Sequence, residues 1–457
     1  MGYLWMIASV AAIGGLLFGY DWVVIGGARP FYEAYFHLAT ASAIGWANSC
    51  ALLGCFVGSL AAGRLSDRFG RKNALMIAAL LFAVSSSLTG WAYSFSSFIL
   101  WRIVGGVAIG LASNVSPTYI AEISPALWRG RLVSLNQFAL VTGIVAAQVV
   151  NWLIAEPVVG SESIAASSWN AQFGWRWMFT AVAVPALLFV VLGPFIPESP
   201  RWLTERNKEK KALQVLTAIG GSRYGEMELT SIRDSLGSAV GGGQMRSLFA
   251  RPLRSLLAIG ICLAVLQQWC GINIIFNYAA EIYRSAGYGI SDVMFNIVIT
   301  GAVNLVFTVV AMLLVDSLGR RGLMLFGCIG IGVSHILASF AYQAGWQGFW
   351  VLVLTLTAIA CYAVSLAPVT WVLITELFPN SVRASAVSIS VAALWVSSFA
   401  LTYTFPFFSQ AFGTSRVFLL YGGICLLGLA FVYFCVPETK GQSLEQIEAR
   451  EMREMDA

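Results

Sequence analysis

The stretch "GRLSDRFGRK", Gly63–Lys72, is a short charged turn between two apolar runs, and it has a counterpart far along the chain. "VDSLGRR", Val315–Arg321, keeps its core spacing, so that Asp67 and Arg71 correspond to Asp316 and Arg320. Two more pairs follow in the same order. "EISPALWR" (Glu122–Arg129) matches "ELFPNSVR" (Glu376–Arg383), each with Glu and Arg seven apart, and "PESPRW" (Pro197–Trp202) matches "PETKG" (Pro437–Gly441). Three motif pairs at offsets of about 240–254 residues, in order, are the mark of a duplicated unit.

What lies between these turns sets the class. The chain has 457 residues, 58% hydrophobic and 11% charged, whereas soluble domains carry roughly 25% charged residues. Apolar runs long enough to cross a bilayer recur from end to end. Twelve are expected, at 4–28, 42–63, 73–92, 95–121, 131–155, 174–196, 253–284, 291–315, 322–344, 347–377, 383–411 and 414–436. The first is too long for a signal peptide and lacks a basic leader and a small-residue cleavage site. The expected fold is an all-α membrane protein of two six-helix bundles, residues 1–196 and 253–436. A cytoplasmic linker, 197–252, joins them, and a cytoplasmic tail, 437–457, follows. In the linker "ERNKEKKALQVL" reads as an amphipathic surface helix and "GSAVGGGQ" as a flexible stretch; "SLEQIEAREMREM" in the tail reads as a short polar helix.

With both termini in the cytoplasm, the inner loops and tail hold 22 of the 27 basic residues. That asymmetry sets the orientation. The basic residues sit in short loops, so the net charge of +5 does not point to nucleic acid. Cys50, Cys55, Cys262, Cys270, Cys328, Cys361, Cys425 and Cys435 lie almost all in apolar runs with no C-x-x-C pair, and His37 and His335 are far apart. Helix packing accounts for the cysteines. No metal site, cofactor or nucleophile–base set is expected, and nothing argues against a monomer in the bilayer.

The first span carries a carboxylate, Asp21, inside "GLLFGYDWVV" (Gly15–Val24). A charge at a helix centre costs about 2.5–3.5 kcal/mol on insertion scales, so a partner is required. Spans one and four both have an outer end, near Ala28 and Phe95, and Arg102 lies about seven residues into span four, as Asp21 does into span one. These two charges are expected to pair, either as a structural salt bridge or as a proton site whose acid gains and loses its arginine.

Span seven holds "LQQWCGINIIFNY", with the amides Gln267, Gln268, Asn273 and Asn277; Gln137 and Asn304 add to them from spans five and eight. Amides donate and accept as sugar hydroxyls do and carry no charge, although they also serve as interhelical glue. Trp371 and Trp395 offer flat faces to the C–H side of a pyranose. On the cytoplasmic side, Asp67, Arg68, Arg71, Glu122 and Arg129, then Asp316, Arg320, Arg321, Glu376 and Arg383, read as a gate at helix ends. Topological anchoring explains the basic residues but not the repeated acid–base spacing. The glycines of "GGVAIG" in span four serve close helix packing rather than a phosphate cradle.

Taken together, "GGLLFGYD", "DRFGRK", "PESPRWL", "QQWCGIN", "DSLGRR", "ELFP…R" and "PETKG" resemble the sugar porter family of the major facilitator superfamily, over nearly the whole chain. Bacterial xylose–proton and related pentose and hexose symporters are the nearest branch. The resemblance implies alternating access to a central site and places Gln137, Gln267, Gln268, Asn273, Asn304 and Trp371 on sugar-binding positions. It also implies proton coupling at Asp21. Departures stand at Asn277-Tyr278, where the family has Tyr-Tyr, at Leu394, often an amide, and at Ile144, a Gln in some xylose porters. They bear on which sugar is taken. The expected function is proton-coupled monosaccharide import across the cytoplasmic membrane; a facilitative uniporter or a membrane sugar sensor are the alternatives.

Overall fold

The computed structural model describes residues 2–157, 167–237, 251–346, 348–378 and 382–438, without the side chains of 251–252, 315–318 and 383–384. The flexible stretch expected beyond Gly237, the tail helix, and the side chains of Asp316 and Arg383 therefore lie outside the described residues. Every regular element among those described is helical.

Among the described residues, eleven helices are long and apolar enough to span a bilayer. The last, Arg383–Cys435, turns at Gly413, whose φ of 79° and ψ of 154° are non-helical, so it supplies spans eleven and twelve. The count of twelve thus stands; the loop expected there is a single glycine joint, which a positive φ allows without a Cβ penalty.

Span one differs from expectation. It runs from Gly2 to Tyr35, well past Ala28. Arg29 and Glu33 end the apolar window but not the helix, because they pair with each other at one helical turn, 2.5 Å apart. Span seven is broken rather than continuous, into Arg251–Trp269, Ile272–Asn277 and Ala279–Ser285. Gly271, with φ of 87°, makes the first break. The Nε2 of His335 lies 2.8 Å from the Cys270 carbonyl that this break leaves outside the helical ladder. Span ten breaks at Ser365, between Phe349–Val364 and Leu366–Glu376.

Helices approach closely where glycines allow it. A Cβ on Gly110, in the "GGVAIG" run of span four, would fall 2.3 Å from the Cys55 carbonyl of span two. Only a bare backbone fits there, in keeping with the packing reading.

The chain forms two compact units. The first comprises Met1–Val24, Leu53–Ala147 and Arg176–Gly242; the second comprises Ile25–Leu52, Gln148–Trp175 and Gly243–Ala457. In the first, linker helices Pro200–Glu205, Glu209–Gly220 and Ser222–Gly237 pack around Trp202, Leu203, Ala212, Leu216 and Leu229. That is the burial an amphipathic linker predicts. The Trp202 indole donates to the Asp67 carbonyl at 2.8 Å, which ties the linker to the charged turn after span two.

Candidate functional site

In the first unit, Asp21 and Arg102 meet as their depths predict. Nη1 of Arg102 lies 3.0 Å and 3.2 Å from the two carboxylate oxygens, and the side chains are each 3% exposed. The guanidinium carbon also lies 5.3 Å from the ring centre of Phe179 on span six, a cation–π contact. Arg102 Nε has no hydrogen-bond partner. The acid is thus held at one point of the guanidinium rather than in a two-pronged fork, a looser grip than a buried pair can reach.

The repeated acid–base motifs form ion pairs within each sequence half. Arg71 bonds Asp67 at 3.1 Å and Glu122 at 3.0 Å. Arg320 bonds Glu376 at 3.4 Å. Arg68 and Arg129 are exposed. Each cluster has a member that charge spacing alone did not single out. The Glu198 carboxylate of "PESPRW" accepts the backbone N–H of Lys72 at 3.1 Å and of Ser199 at 2.8 Å. Glu438 of "PETKG" accepts the backbone N–H of Arg320 at 3.0 Å and of Arg321 at 3.1 Å. Both acids thus cap the start of the next charged helix, span three or span nine, where unpaired N–H groups favour a negative charge. The recurrence of Pro-Glu in both halves was the available signal; a capping role needed the fold.

In the second unit, Gln267, Gln268 and Asn273 form one chain of amides. Gln268 donates to Gln267 at 2.9 Å and accepts from Asn273 Nδ2. The three are buried, as are Asn277, Asn304 and Trp395, while Trp371 is half-buried. The break at Gly271 lets residues from two helical pieces converge, which one straight helix would spread around its surface. Asn277 Oδ1 has no hydrogen-bond partner, so an acceptor is available beside the chain. Leu394 is buried next to Trp395, which keeps that position apolar. Gln137, in the first unit, is half-buried. Tyr278, next to Asn277, serves as an anchor. Its hydroxyl donates to the Thr402 carbonyl at 2.7 Å and its ring lies 4.3 Å from the guanidinium carbon of Arg29.

A buried acid–base pair in one unit and a buried cluster of uncharged amides in the other are the composition of a coupled carrier for a neutral polar solute. The comparisons agree. The family described as "Sugar (and other) transporter" matches residues 7–450. The chain belongs to this family. It is 36% identical to the D-xylose-proton symporter of Escherichia coli (strain K12), over 98% of this chain and 95% of that one. It is 38% identical to the arabinose-proton symporter of Bacillus subtilis (strain 168), again over 98% and 95%. Its fold matches a partially occluded inward open conformation of the xylose transporter XylE from E. coli, with a TM-score of 0.86 at 34% identity over 97% of this chain and 100% of that one. This is a multi-pass membrane transporter of the major facilitator fold, not an enzyme.

Proposed function

We propose that this sugar transporter imports a pentose or hexose such as xylose or glucose together with protons, by alternating access of the two six-span halves, residues 1–196 and 253–436. Support for coupling comes from the one observation that carries most weight, the Asp21–Arg102 pair buried in mid-span. On this reading Asp21 takes up a proton as Arg102 withdraws and releases it as Arg102 returns. A sugar with different affinities for the two states is then linked to that proton.

Gln137, Gln267, Gln268, Asn273, Asn277 and Asn304 supply hydroxyl partners, and Trp371 and Trp395 the apolar faces. The cytoplasmic clusters, with Arg321, Asp316 and Arg383 included, act as an inner gate. The protein works as a monomer in the bacterial inner membrane with both termini in the cytoplasm, and needs no cofactor besides the coupling proton. The basic-residue asymmetry supports this orientation.

Uptake of labelled xylose and glucose into proteoliposomes tests the reading, with and without an inward proton gradient. One proton moving down 100 mV supplies about 2.3 kcal/mol, enough for roughly fiftyfold sugar accumulation. Wild type is expected to accumulate sugar and Asp21→Asn only to equilibrate it. Equilibration by both would make the pair structural and the protein a uniporter.

A further inference from the structure

Span five presents one face at helical spacing: Gln137, Val141, Ile144 and Gln148. Exposure falls along it, from half-buried Gln137 to Gln148 at 1%. Gln148 sits one turn, about 5.4 Å, beyond Ile144 toward the outer end. So the amide missing at 144 has a substitute one turn further out. Span eight, Ile290–Leu318, shows a matching strip of buried polar residues four apart: Asn296, Thr300 and Asn304.

Within the second unit, Gln148 meets the span-eight strip. Gln148 Nε2 reaches Thr300 Oγ1 at 3.4 Å, a long bond, while the Thr300 hydroxyl itself donates to the Ile297 carbonyl at 2.6 Å. Two polar atoms in this layer remain without a hydrogen-bond partner, Gln148 Oε1 and Asn296 Nδ2. The rings of Trp152 and Phe295, 5.9 Å apart, join the same two spans one turn beyond. Buried amides left half-satisfied are costly in a membrane protein, where no water lies behind them. A polar solute that bonds them in another state of the transport cycle removes that cost.

We propose that Gln148, with Asn296, forms an outer polar layer that takes a sugar hydroxyl as the solute enters from outside, while Thr300 only holds the Gln148 amide between transport events, making Gln148 a specificity-determining residue for this chain. The Gln148–Thr300 bond is its resting arrangement when no sugar is present. This rests on the monosaccharide-import reading above.

The competing role, a mere contact that holds the outer end shut, predicts the opposite sign. Half-saturation for external sugar is measured in right-side-out vesicles for wild type, Gln148→Leu and Thr300→Val, with efflux from the same vesicles as the inside reading. A sugar contact predicts that Gln148→Leu raises the external KM about tenfold with the efflux KM unchanged. Thr300→Val, which frees the Gln148 amide, leaves the external KM equal or lower. A plain closing contact lowers the external KM in both variants, because each shifts the protein toward its outward-open state; that result overturns the inference, as does an unchanged KM in Gln148→Leu. If Gln148→Leu does not fold, a raised external KM in Thr300→Val alone also overturns it. Absence of saturable uptake by wild type overturns the import reading and this inference together; saturable wild-type uptake confines any failure to Gln148.

Discussion

Arg29 and Glu281 are 252 residues apart in the chain and 2.7 Å apart in the fold. Arg29 is 5% exposed and also bonds Glu33, while Glu281 accepts from the Ser409 hydroxyl at 2.8 Å. The C-terminal end of span one is thereby fastened to the last piece of span seven and to span eleven. On the proposed orientation this is the outer end, and the outward-open state of the proposed cycle lacks this contact. Arg29 is buried while the Glu281 side chain is 31% exposed, so removing Glu281 leaves the buried guanidinium with Glu33 as its one acid partner.

A double-mutant cycle of Arg29→Leu and Glu281→Leu is expected to give a coupling of about 1–3 kcal/mol in unfolding stability. In Glu281→Gln, a cysteine introduced at the buried Thr402 should react several times faster with an impermeant thiol reagent added outside. An unchanged rate would mean that the pair does not hold the outer end closed.

Gln268 bridges Gln267 and Asn273, so its loss unpairs two buried amides at once. Gln268→Leu is expected to raise the sugar KM by about tenfold or more, at about 1.4 kcal/mol per factor of ten. Gln268→Glu keeps the shape and one acceptor but buries a charge, and should bind worse still. Equilibrium binding of unlabelled sugar, read by tryptophan fluorescence, distinguishes this from a slower transport step.

The caps at Glu198 and Glu438 occupy equivalent places in the repeat, so their effects should match. Glu198→Gln and Glu438→Gln are each expected to lower stability by about 1 kcal/mol, as loss of a charge at a helix start does. Gly70→Ala should cost more than either. Its φ is 96°, and a Cβ there would lie 2.0 Å from a Glu198 oxygen. Thermal unfolding in detergent reads all three.

The linker has its own pH dependence. Arg233 holds the Glu209 carboxyl below its ordinary 4.5, first through the side-chain hydrogen bond and then through charge. A depressed carboxyl contributes its stabilisation above the unfolded value and loses it as pH falls through the lower folded one. Amide-exchange protection of Glu209–Gly220 is therefore expected to be flat from pH 7 to about 5 and to fall below 4.5. In Glu209→Gln that acid-side fall disappears. An identical fall in both proteins would assign it to another group.

Much of this protein is legible without coordinates because the bilayer imposes simple rules. A span must be long and apolar, a buried charge must have a partner, and basic residues collect on one side. Those rules gave the twelve spans, the duplicated order of motifs and the Asp21–Arg102 pair. They also picked out the span-seven amides, though not how they are connected.

The sequence by itself determined the class, the number of spans, the repeat and the partner of Asp21, since each depends on spacing along one helix or on depth within a layer. Tertiary structure alone decided that span one continues through Arg29 to Tyr35, that Glu198 and Glu438 cap helices they do not belong to, and that Gln148 faces Thr300. The physical reason is the same in each case. A polar group in hydrocarbon takes whichever partner the packing brings within reach, and helical periodicity tells which face a residue occupies but not which helix lies opposite.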